Sequence, residues 1–123
     1  MSKAFKAAAI VFTLLSAGHT LAGKQWMTDP QFKALPRHVG AFSRVGWYQG
    51  SVFLLIGALL NYRWSQTSRG ALTDPVEKAM AALATALCFG SSAWYNKNGI
   101  RDTAAIVGFA GVLQGYAAFF SKA

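Results

Sequence analysis

The sequence predicts an all-α integral membrane protein. Its expected architecture is a four-helix antiparallel transmembrane bundle with a short interfacial helix in the first connection. Three observations predict it. Residues 103–120, TAAIVGFAGVLQGYAAFF, run without a single charge. At ~1.5 Å per residue such a segment crosses most of a ~30 Å hydrocarbon layer. Stretches over 4–22, 45–62 and 76–94 match it in length and apolar character. Finally, the chain is 54% hydrophobic and only 13% charged, where a soluble domain carries about 25% charged residues.

At 123 residues, four spans and their loops use the whole chain, so one domain over 1–123 is expected. The single cysteine, Cys88, excludes an internal disulfide and a CxxC redox pair. It falls in mid-span, where it reads as a small hydrophobe. The formal charge is +8. Because the basic residues are scattered between helices and at helix ends, they suit anionic headgroups and snorkelling side chains. Nucleic acid is therefore not an expected partner.

The first span, 4–22, follows Met1, Ser2 and Lys3, a basic start that also fits a secretory signal. His19 lies where a cleavage region would be, which favours an uncleaved span. Gly18 and Ala22 flank His19 with little bulk and admit a close helix neighbour. An imidazole titrates near neutrality, so His19 is a candidate acid or base as well as an interfacial hydrogen-bonding group. No metal site is expected: His38 is the only other histidine, and no Cys, Asp or Glu stands at ligand spacing. No cofactor is expected either.

Residues 23–44 form the longest connection. Asp29–Pro30 starts a short helix and Pro36 stops it. Trp26, Met27, Phe32 and Leu35 mix there with Lys24, Lys33 and Arg37, as at a headgroup boundary. In span 45–62, Trp47 and Tyr48 mark one interface and Tyr62 with Trp64 the other. Gly46, Gly50 and Gly57 share a face, and Gly46–Gly50 is a GxxxG pair. Gln49 and Asn61 place amides just inside the two edges.

Asp74–Pro75 caps span 76–94, with Glu77 in the dipole-favoured first turn. Its alanines predict a central position. Asn98–Gly99 is a turn. In span 103–120, Ala104, Gly108, Gly111 and Gly115 form a small-residue packing face.

Four spans joined by short loops imply antiparallel neighbours. One side then holds Lys3, Lys6, Arg63, Arg69, Lys78 and Lys122. The other holds Lys24, Lys33, Arg37, Arg44, Lys97 and Arg101. With six basic residues on each side, the positive-inside rule favours neither orientation.

On that second side gather Trp26, Arg44, Trp47, Tyr48, Gln49, Trp94, Tyr95, Asn98 and Arg101, the expected ligand-binding set, with His19 and Asp102 as the expected acid–base pair. Such a pocket suits an amphipathic small molecule entering from the bilayer. In span number and size the chain resembles small four-span families such as the DoxX-like membrane proteins and the sterol-isomerase-type bundles. That likeness carries no residue role.

The mid-membrane regions lack the ionisable groups that coupled transport uses. The favoured function is an accessory or structural membrane protein that packs with itself or with a larger complex among membrane lipids. The alternatives are a cofactor-free isomerase or cyclase acting on a lipophilic small molecule, and a lipid- or sterol-like ligand binder.

Overall fold

The computed structural model describes residues 2–123 and is all-α, with five α-helices and a terminal π-helical turn. They are α1 (Lys3–Trp26), α2 (Pro30–Lys33), α3 (Arg37–Thr67), α4 (Pro75–Lys97) and α5 (Arg101–Gly115), the last continued by the π turn Tyr116–Phe120. Two of these are long and apolar enough to cross a membrane: α1, and α5 with its π turn. The other two long helices, α3 and α4, have the length without the apolarity. Arg44, Gln49, Asn61 and Arg63 interrupt α3, and Glu77 and Lys78 begin α4.

Local chemistry sets most boundaries. The Asp29 carboxylate accepts from Gln31 N at 2.7 Å, with Pro30 pre-set for the first turn of α2. Asp74 accepts from Val76 N and Glu77 N, both at 2.9 Å, ahead of Pro75. Between α4 and α5 the chain reverses at Gly99, whose φ of 79° is a conformation that a side chain disfavours. Ile100 N there returns to Tyr95 O at 2.9 Å.

One boundary departs from the expectation. Residues 37–44 are not connection but the first two turns of α3, and α1 runs on to Trp26. The connection shrinks to residues 27–36, and the short helix expected there is the single turn of α2. Nothing in His38, Gly40 or Ser43 breaks a helix once Pro36 has started one, so α3 grows to 31 residues.

Two of the three consecutive pairs of long helices pack as neighbours, and one does not. Helix α3 packs on α1 and α4 packs on α5, with α1 and α5 joining the two pairs. Consecutive α3 and α4, expected to be neighbours, scarcely touch. The loop between them is instead tied to the C-terminus: Leu72 N donates to Ala118 O and Ala71 N to Ser121 O, each at 2.9 Å. Leu72 is thereby buried with Phe5, Trp64, Ala81, Ala117 and Ala118.

A second layer contains Phe12, Ala58, Cys88 and Ala110. Gly57 creates the room for it, since a Cβ there would stand 2.7 Å from Phe12 Cδ1. The fully buried Asn61 and Gln114 bridge α3 and α5: Asn61 Nδ2 donates to Gln114 Oε1 at 2.5 Å and to Gly57 O at 2.9 Å. On the α4–α5 seam, Ser92 Oγ donates to Ala104 O at 2.6 Å. Gly108 lies against Ser92, Gly111 against Cys88 and Phe89, and Gly115 against Thr85.

Size is inverted between inside and outside. Most of the buried hydrophobic residues are alanines. The large apolar side chains point out on all four long helices, among them Leu14 at 67%, Leu59 at 62%, Leu83 at 71% and Phe109 at 59% exposure.

Candidate functional site

His19 is held rather than free. It sits on the α1 face that carries Ser16, Gly23 and Trp26 at helical spacing. Its Nδ1 lies 2.8 Å from Ser51 Oγ on α3. Its ring stacks on Trp47, with centroids 3.8 Å apart and planes 10° from parallel. Trp47 Nε1 donates to the His19 carbonyl at 2.7 Å, and Ser16 Oγ donates to Ser51 O at 2.8 Å. Gly23 exists for this contact, because a Cβ there would collide with the Trp47 indole, and one at Gly50 would come within 3.0 Å of His19 Cε1. Trp26 adds an edge to Trp47 at 5.1 Å and to Phe32 at 4.9 Å. The Trp47 stack and the Ser51 hydrogen bond therefore fix the orientation of the imidazole, while the Trp47–His19 O and Ser16–Ser51 O bonds hold α1 and α3 in register around it.

Beside His19 lies a cleft of about 390 Å³ between α3 and α4, at the seam where those helices fail to meet. One end is polar, with His19, Gln49, Ser91 and Tyr95. The other is apolar, with Phe53, Leu54, Leu87 and Cys88, and Val107 of α5 also on its wall. A second groove of about 410 Å³ runs between α1 and α3 along Ile10, Leu14, Leu55 and Leu59, with Lys6 and Tyr62 at one end.

The structure divides the expected ligand-binding set. Gln49 and Tyr95 join His19 in the cleft, while Trp26 and Trp47 stand behind the imidazole as its support. Arg44, Tyr48, Trp94, Asn98 and Arg101 are exposed and do not line the cleft. Trp94 takes the Lys97 ammonium over its ring at 5.4 Å, and Asn98 donates to Trp94 O at 2.8 Å. Asp102 is exposed in the first turn of α5, away from the cleft that holds His19, a position that suits a helix dipole.

Among the packing glycines, Gly46 faces open space, with nothing within 4 Å of a Cβ built there. Of the Gly46–Gly50 pair, only Gly50 meets α1.

Ser51, Phe53, Ser91 and Cys88 were not among the expected site residues. The signal for two of them is spacing: Cys88 and Ser91 stand at i and i+3 on the face of α4 that carries the expected Tyr95 at i+7. Among the described residues no three His, Cys, Asp or Glu side chains come together to hold a metal ion. No family model, curated protein or solved structure matches the chain.

Proposed function

We propose that the chain is a multi-pass membrane protein with four spans, acting as an accessory or structural subunit through its packing surfaces. The observation that carries this reading is the inversion of residue size. In water, a girdle of exposed Leu, Phe, Ile and Val around four helices is a severe aggregation liability. In lipid it is the expected outside, with small residues and hydrogen-bonded amides holding the interior.

Two further features support the membrane reading. A soluble core helix would be mostly buried, yet only 22% of the apolar window of α1 and 33% of that of α5 are buried. Phe5 and Phe12 fill both core layers, which supports α1 as a working part of the bundle.

The surface offered to a partner is on α4. Ala79, Ala82, Ala86, Gly90 and Ala93 recur at three- and four-residue steps and none is buried, opposite the buried Ala81, Ala84 and Cys88. Such a stripe admits another helix closely. The glycines of α5, in contrast, are already used inside the chain. The acid–base alternative asks His19 and Asp102 to work as a pair; the cleft holds His19 and not Asp102, which favours packing.

The test is a native mass spectrum of the protein extracted from its own membrane in mild detergent, for wild type and for Gly90→Leu. A Cβ at Gly90 meets nothing within 4 Å, so the variant is expected to fold. Wild type should appear in an assembly heavier than one chain, and Gly90→Leu should release the folded monomer. A monomeric wild type would refute the accessory role.

A further inference from the structure

Resting on the membrane reading above, we infer that the α3–α4 cleft binds a neutral lipophilic molecule whose head accepts hydrogen bonds, such as a ketone, ester or quinone carbonyl. The lining itself selects that class. No Lys, Arg, Asp or Glu lines the cleft, so a charged ligand would leave water without compensation. His19, Gln49, Ser91 and Tyr95 line the cleft toward one end, and Phe53, Leu87 and Cys88 toward the other. An occupant needs the same division, with a polar head and an apolar body.

An acceptor head is what the one group of fixed role in the cleft calls for, since the His19 ring offers a donor. Ser51 Oγ has the His19 Nδ1 as its hydrogen-bond partner and no other among the described residues. The arrangement that satisfies both groups has the serine hydroxyl donating to Nδ1, which assigns the ring proton to Nε2. The imidazole then presents an N–H, and its plane is fixed by the Trp47 stack. The Tyr95 and Ser91 hydroxyls and the Gln49 amide add three more groups able to donate.

Volume argues for a small molecule over a protein segment. The cleft of about 390 Å³ is a local recess lined by one to two turns of α3 and of α4, shorter than the contact a spanning partner helix makes along its length. It does lie within the size range of small-molecule sites.

The test uses the wild-type chain reconstituted in phosphatidylcholine nanodiscs and a long-chain ketone bearing a diazirine in its chain. A diazirine alkane of equal length serves as the control, and labelled positions are mapped by peptide mass spectrometry. The ketone should label Phe53, Leu87 or Cys88, and excess unlabelled ketone should suppress that labelling. The alkane should label the lipid-facing girdle instead. Ser91→Phe fills the cleft and should abolish the cleft labelling. Tyr95→Phe removes one oxygen and should weaken competition roughly fivefold, the worth of one neutral hydrogen bond.

Identical ketone and alkane patterns would overturn the inference, as would cleft labelling unchanged in both variants. Should Ser91→Phe fail to reconstitute, Tyr95→Phe alone decides. Crosslinks between two chains through the cleft would also overturn it, in favour of a protein occupant. A wild-type chain that stays out of the nanodisc would refute the membrane reading itself, an outcome separate from any of these.

Discussion

Gly57→Ala tests the packing at the middle of the bundle, with two opposing terms. An alanine in a helix interior gains up to about 1 kcal/mol over glycine. Against that, the new Cβ would stand 2.7 Å from Phe12 Cδ1 and 3.0 Å from Cε1. Phe12 is fully buried in the cluster with Ala58, Cys88 and Ala110. Its ring is rigid and has no open side to swing into, so relief requires α1 and α3 to part. Overpacking of this kind costs about 1–3 kcal/mol, and the net effect is a loss of up to about 2 kcal/mol.

Gly46→Ala on the same helix is the matched control, because it gains the same helix propensity and meets nothing within 4 Å. It should be neutral or stabilising. The assay is reversible unfolding in mixed micelles at increasing mole fraction of dodecyl sulfate, followed by tryptophan fluorescence. The double variant Gly57→Ala with Phe12→Leu should cost less than the sum of its parts, because the shorter side chain vacates the clash. Equal effects at Gly57 and Gly46, or strict additivity in the double variant, would refute the reasoning.

Asn61→Leu should destabilise by about 1–3 kcal/mol, because it takes away the donor to buried Gln114 Oε1; adding Gln114→Leu should recover part of that loss in the same unfolding assay. Gly99→Ala should cost about 1 kcal/mol, since φ there is 79°, and the same assay reads it, with no change expected in ketone labelling of the cleft.

Local signals are legible in the chain. Asp29–Pro30, Asp74–Pro75 and Asn98–Gly99 each act through their own neighbours, and each marks a boundary in the structure. Residues 37–44 are not legible as helix. They have no apolar period, and their helicity follows from propagation out of Pro36 into a long amphipathic segment. Helix order is equally hidden. The α3–α4 loop looks like a tight connector, but its backbone groups bond to Ser121 and Ala118, partners far away in sequence.

The same reason explains the candidate site. Tryptophans and arginines at one level are readable, but a sequence does not say which of them turn inward. Ser51 carries no signal of its own, because its role depends on His19, a residue on another helix. Gly46 and Gly50 are equivalent by period. Only the crossing of α1 and α3 decides that Gly50 meets the imidazole and Gly46 meets nothing.

Four membrane crossings are tested most directly by sidedness. In a Cys88→Ser background, single cysteines would replace Lys3, Arg69, Lys122, Lys33 and Lys97 one at a time, and sealed vesicles would be treated with a membrane-impermeant maleimide before and after lysis. Four spans require positions 3, 69 and 122 to react from one side, and 33 and 97 from the other. Reaction of all five from the same side would contradict it, leaving no crossing between them.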